Sequence, residues 1–151
     1  ANADLIAAGH KNVWQIQVKG ATNQSKRWWV QYGYCTPEII KNKKACPMFN
    51  RKQGFYTADI VVLVAVRSPI EYRCVVLRAK DAERAAQYNL DRAYRTPKRD
   101  GMEKKPSKVW VHLERSPREA ALKKKAAKAK AEERKILERG LMAWKTLRGT
   151  P

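Results

Sequence analysis

The chain has 151 residues, the length of one ordinary domain and enough to bury a real core. Thirty-three Lys and Arg against fourteen Asp and Glu give a formal charge of +19, a field that attracts polyanions, nucleic acid before an acidic membrane. No apolar run is long enough to span a bilayer, the longest being Ile60 to Val66. No basic segment precedes an apolar one at the start, so a cytoplasmic protein without a membrane partner is expected.

In chain order, Ala3 to Ala8 and Val13 to Lys19 read as a hairpin turning over Gly9-His10-Lys11-Asn12. Trp28 to Tyr34 is rich in strand formers. Its aromatic residues Trp28, Trp29, Tyr32 and Tyr34 could stack on bases, although core packing is the expected fate of most of them. A short helix is expected over Pro37 to Lys43 and a loop over Pro47 to Gly54. Asp59 precedes Ile60 to Val66, a stretch apolar on both faces as a central strand requires, and is expected to cap that strand. A further strand, Arg73 to Arg78, leads into a helix over Ala82 to Asn89 with Asp81 as its cap. A basic loop follows, Arg95 to Lys108, and then a last strand, Val109 to Leu113. Cys35, Cys46 and Cys74 have neither zinc-finger nor disulfide spacing and read as buried free thiols.

From Ser116 the composition changes. Ser116-Pro117-Arg118-Glu119 has the form of a capping box, and the Ala/Lys/Arg/Glu-rich sequence beyond it predicts a long basic helix to about Leu147. Between Lys123 and Lys135 there is almost no large apolar residue, so the middle of this helix is expected to be solvated. Its tip is expected to dock through Leu137, Leu141 and Trp144. The division that follows is a core over 1–115 and a basic helix over 116–151.

The hairpin holds the chemistry. If its turn is centred between His10 and Lys11, facing positions sum to twenty-one, so Asp4 lies opposite Gln17. Asp4, Gln17 and Lys19 then share the polar face while Leu5, Ala7, Trp14, Ile16 and Val18 enter the core. From the residues alone, this polar face reads first as a solvated strand surface and only second as a site.

The segments "ADLIA" and "IQVKG" resemble the PD-(D/E)XK nuclease superfamily, whose signature is an aspartate near one strand and an acidic-x-Lys triplet on the next. The resemblance runs from Ala3 to about Leu113. Two features depart from it: the triplet is Gln17-Val18-Lys19, with an amide in place of the acid, and the helix that usually precedes the aspartate has no counterpart ahead of Asp4. The resemblance implies an α+β (α/β/α) restriction-endonuclease-like fold, a mixed sheet flanked by helices, with a long basic C-terminal helix. It also implies a Mg²⁺- or Mn²⁺-dependent endonuclease that hydrolyses DNA. Asp4, Gln17 and the backbone carbonyl of Val18 would be the metal ligands, and Lys19 would orient the attacking water. The alternative is a non-catalytic DNA- or RNA-binding protein built on the same fold. In either case DNA is expected ahead of RNA, with Lys98, Arg99, Lys104 and Lys105 of the loop and Lys123, Lys124, Lys125, Lys128 and Lys130 of the helix meeting phosphates. Cutting both strands of a duplex would call for two sites, and hence a homodimer.

Overall fold

The computed structural model describes residues 5–8, 11–22, 29–35, 49–50, 58–95, 108–115 and 117–148. Among the described residues, seven strands, β1 (Leu5–Ala8), β2 (Val13–Thr22), β3 (Trp29–Cys35), β4 (Phe49–Asn50), β5 (Ile60–Ser68), β6 (Glu71–Arg78) and β7 (Lys108–His112), form two sheets with the helices α1 (Ala79–Arg95) and α2 (Lys124–Gly140). The larger sheet has the order β1-β2-β5-β6 and is mixed; the smaller has the order β4-β3-β7. The protein is therefore a mixed α+β fold. Among the described residues no helix is long and apolar enough to cross a membrane.

The β1–β2 hairpin has the predicted register, with Leu5 opposite Ile16 and Ala7 opposite Trp14. β5 lies parallel to β2 and antiparallel to β6, which places it at the centre of the sheet, as its unbroken apolar sequence requires. A parallel neighbour cannot be reached by a tight turn, and the crossover from β2 to β5 carries β3 and β4.

Alternation along β2 and β5 separates two cores. Val61, Leu63 and Ala65 face Val75 and Leu77 and share one cluster with Val30, Val109 and Val111 of the small sheet, Ala82, Ala85, Ala86 and Leu90 of α1, and Ile136 and Leu137 of α2. On the opposite face Trp14, Ile16, Ile60, Val62, Cys74 and Val76 form a second cluster, against which Leu147 packs. α1 and α2 thus belong to one core, and among the described residues outside the sheet the second face is met by Leu147 of a 3₁₀ turn, Trp144–Arg148, beyond α2. Arg78 adds to this side by lying 4.9 Å over the Trp14 ring. Leu5 shares the second face but is 56% exposed, because β1 is the edge of the sheet and short. The expectation that it enters the core is corrected.

Several boundaries differ from the expected ones. α1 starts at Ala79, immediately after β6, so Asp81 sits in its first turn, where a carboxylate favours the positive end of the helix dipole. Ser116, the expected cap, lies outside the described residues; Pro117–Ala121 is a 3₁₀ turn and α2 begins at Lys124. It ends at Gly140 rather than Leu147. There Gly140 presses against β6 so closely that a Cβ would meet the Leu77 side chain, Val75 Cγ1 at 2.9 Å and the Val76 carbonyl at 3.0 Å. Leu141 then bridges to Val75, Met142 takes a positive φ of 51° and donates its N–H to the Cys74 carbonyl at 2.9 Å, and the chain folds over the outer edge of β6. Leu141 and Trp144 remain substantially exposed, so of the three predicted docking residues only Leu137 is buried.

The middle of α2 is not solvated. Ala126, Ala129, Lys130, Glu133, Arg134, Ile136, Leu137 and Gly140 are all buried, and α2 packs along α1. The two helices run antiparallel, with Gly140 beside the strand that leads into α1 and Glu133 meeting Asn89 midway along. Alanines on both helices allow the close approach that large apolar residues would otherwise have to fill. Cys74 is a free buried thiol, and burial raises its pKa. The helix expected over Pro37 to Lys43, Trp28, Cys46 and the side chains of Trp29, Tyr32, Tyr34 and Cys35 lie outside the described residues.

Candidate functional site

Two regions bear on function: the polar face of β2 and the first turns of α2. Gln15, Gln17 and Lys19 alternate with Trp14, Ile16 and Val18, and all three are partly buried rather than fully exposed. Gln17 lies opposite Val61 and Lys19 opposite Leu63, so they occupy the sheet face on which the helices pack, on the strand next to the edge. Their Cα atoms are separated by about 6.6 Å, the repeat of a strand.

Asp59 anchors this strand. Its carboxylate Oδ2 accepts the Gln15 N–H at 2.9 Å, its own N–H donates to the Gln15 carbonyl at 2.8 Å, and its carbonyl accepts the Ala79 N–H at 2.9 Å. The start of β5 is thereby tied to β2 and to the first residue of α1. This is the capping role its position ahead of the apolar run suggests.

Asp4, the expected carboxylate of the site, lies outside the described residues, as do Lys98, Arg99, Lys104 and Lys105. Among the described residues no group of three or more His, Cys, Asp and Glu could hold a metal ion. Among the described residues, the Gln17 side-chain oxygen and the Val18 backbone carbonyl stand next to Lys19 along β2. They are hard, neutral donors of a kind Mg²⁺ accepts, but they need a carboxylate to supply charge.

The start of α2 is a concentrated cationic surface. Lys123, Lys124, Lys125 and Lys128 are exposed, and among the described residues none has an acidic side chain within ion-pair distance. No side chain caps the helix at Lys123, and its first turn holds no acidic residue. The lysines therefore stand at the positive end of the helix dipole, an arrangement that costs helix stability and favours an approaching anion. Lys123, Lys124, Lys125 and Ala126 border a cleft of about 620 Å³.

Lys130, grouped with these lysines by sequence, has a different environment. It is 5% exposed and lies 3.0 Å from Glu133 and 3.8 Å from Glu119. Its place as a phosphate contact is corrected, because helix periodicity turns it toward α1, where its charge is already matched. Glu133, fully buried, also accepts from Asn89 Nδ2 at 2.9 Å. Arg134 completes the cluster by donating to the His112 carbonyl at 3.1 Å, the Glu114 carbonyl at 2.9 Å and Glu119 Oε1 at 2.7 Å. It ties α2 to the segment after β7 and uses the carboxylate that the capping-box reading assigned to the helix start. Burial holds the Lys130 pKa down against the pull of Glu133. Burial and then the nearby Lys130, Arg134 and Arg92 charges lower His112 to about 4.

This ionic cluster was not foreseen from the sequence. Its signal is the spacing Ala126, Lys130, Glu133, Leu137 and Gly140, alternate steps of four and three that put two opposite charges on the inward stripe of a helix. Comparison with protein families, curated proteins and solved structures finds no match for this chain.

Proposed function

We propose that the protein acts on nucleic acid as a metal-dependent endonuclease of the restriction-endonuclease-like kind. The observation that carries this reading is the hairpin register: it holds through Leu5 opposite Ile16, the pairing needed to set the next residue, Asp4, against Gln17. Asp4, Gln17 and the Val18 carbonyl would hold Mg²⁺ or Mn²⁺, which supplies an acidified water and offsets charge on the phosphate. Lys19, two residues along the same face, would orient that water and stabilise the developing charge. Asp59 fixes the strand on which Gln17 and Lys19 stand. The exposed lysines at the start of α2 would bind the backbone of DNA, with RNA second, through phosphates, and Lys98, Arg99, Lys104 and Lys105 would extend that contact. Duplex cleavage would pair two copies.

The neutral Gln17 favours a second reading, a non-catalytic nucleic-acid-binding protein. Incubation with supercoiled plasmid in Mg²⁺ or Mn²⁺ separates the two. Cleavage that disappears in Lys19→Ala supports the enzyme; retained binding without cleavage supports the second.

A further inference from the structure

The β1–β2 hairpin carries an apolar patch that packing leaves open. Ile6 pairs with Gln15 and Ala8 with Val13. Cross-strand partners share a face, so Ile6, Ala8 and Val13 lie on the side of the sheet that also bears Gln15, Gln17 and Lys19. Ala7, between Ile6 and Ala8, packs into the second core cluster with Trp14, as this alternation requires. Ile6 is 66% and Val13 58% exposed, and Ala8 is exposed beside them. Ile6 and Val13 are diagonal neighbours with Cα atoms about 7 to 8 Å apart, and Ile6 stands in the same relation to Gln17 on its other side. Strand propensity alone does not ask for aliphatic side chains here, since threonine is also a strand former and is at home in water.

The charge around the patch is of one sign. Lys11 precedes β2 and Lys19 lies along it, and residues 5 to 22 contain no Asp or Glu. A second copy of the chain would set these ammonium groups against their equals, with no acid on the hairpin to offset them. A sugar–phosphate backbone fits better: it alternates an anion, which the lysines attract, with a sugar that offers carbon. Deoxyribose presents a methylene at C2′, whereas ribose presents a hydroxyl that both donates and accepts. The side chains of Ile6, Ala8 and Val13 hold neither donor nor acceptor. A 2′-hydroxyl pressed onto them loses its water and gains no partner, and a methylene loses nothing.

We infer that Ile6, Ala8 and Val13 form a sugar-contact surface beside Gln17 and Lys19 that selects deoxyribose over ribose. This rests on the nucleic-acid reading above, in either its catalytic or its binding form, and adds to it the residues that set DNA ahead of RNA. The α2 lysines meet phosphates, which are common to both polymers, and do not make this distinction.

The test measures binding of the full chain, without divalent metal, to three duplexes of matched sequence: DNA, RNA, and RNA with 2′-fluoro in place of every 2′-hydroxyl. Ile6→Thr and Val13→Thr are run beside the parent, and circular dichroism confirms that each is folded. The parent should bind DNA about tenfold more tightly than RNA, and the 2′-fluoro duplex should recover most of that difference. Each threonine keeps the branched shape and supplies a hydroxyl, so the ratio of DNA to RNA affinity should fall to within about threefold. Variants that keep the parent's ratio overturn the sugar contact and leave the nucleic-acid reading standing. So does a parent that binds DNA and RNA alike. A 2′-fluoro duplex that binds as weakly as RNA assigns the preference to helix shape and also overturns the contact. Self-association of the parent that Ile6→Thr disperses at an unchanged ratio makes the patch an interface between copies and overturns it as well. A parent that binds none of the three duplexes overturns both readings.

Discussion

Lys128 and Lys130 stand two residues apart on one helix and do opposite things. Lys128 projects from an exposed turn with Lys124 and Lys125, whereas Lys130 is sealed against α1 and held between Glu133 and Glu119. The first turns of α2 are therefore an open cationic surface, and the remainder is a seat in which charge is internally balanced. What separates them is the acid within reach: Glu119, Glu133 and Glu138 all engage the later part of the helix or the segment packed on it, and Glu132, one turn from Lys128, feels its charge but pairs with Lys135. A buried charge is tolerable only when paired, and a surface charge is available only when it is not.

The most damaging test of the seat is Glu133→Gln. It leaves the Lys130 ammonium buried without its closest counter-charge, and a loss of about 3 to 5 kcal/mol is expected by urea denaturation. Replacing the pair together, Lys130→Met with Glu133→Leu, should cost much less, because no orphaned charge remains. Equal losses from the single and double changes would mean that charge pairing is not what seats the helix. Gly140→Ala probes the far end of the same seat. The added carbon meets β6 side chains and the Val76 carbonyl, and overpacking of about 1 to 3 kcal/mol is expected.

Acid should loosen the seat and spare the surface. The folded protein holds His112 near 4, below its unfolded value of about 6.5, so between these values the unfolded chain binds the extra proton. Stability from this group is complete above pH 6.5 and falls as pH drops toward 4, by at most about 1.4 kcal/mol per unit. Melting temperature measured over that range should be flatter in His112→Gln than in the parent.

The smallest effects on stability belong to the open turns. Lys124→Glu with Lys128→Glu should change the unfolding free energy by no more than about 0.5 kcal/mol per site, since neither residue is packed. Binding to duplex DNA should weaken, and the slope of log affinity against log salt should become shallower by about 0.9 for each phosphate that is no longer neutralised. An unchanged slope would make the turns merely soluble. Trp144→Ala falls in the same class: its ring is half exposed, so the loss stays well under the roughly 3 to 5 kcal/mol of a fully buried aromatic.

Sequence alternation carried the sheet further than it carried the helices. Trp14, Ile16 and Val18 with an inferred turn centre give the observed hairpin register, and the double-sided apolar run of β5 gives its central place. Both follow from a period of two that tolerates no slip. The seating of α2 stayed hidden because hydrophobicity marks large apolar side chains, and this helix buries alanines and a paired lysine and glutamate in their place. Its early end at Gly140 depends on β6, a contact invisible along the chain. At the candidate site the alternation of Gln17 and Lys19 was legible. The role of Asp59 as a tie among β2, β5 and α1 required the parallel β2–β5 pairing, which no local pattern signals.

The endonuclease reading stands or falls on Lys19. Supercoiled plasmid incubated in Mg²⁺ with equal amounts of folded parent and Lys19→Ala, each first shown to bind the plasmid, is the most direct measurement. The account predicts nicked or linear product with the parent and none with the variant. Equal cleavage by both, or a parent that binds the plasmid and leaves it supercoiled, would contradict it.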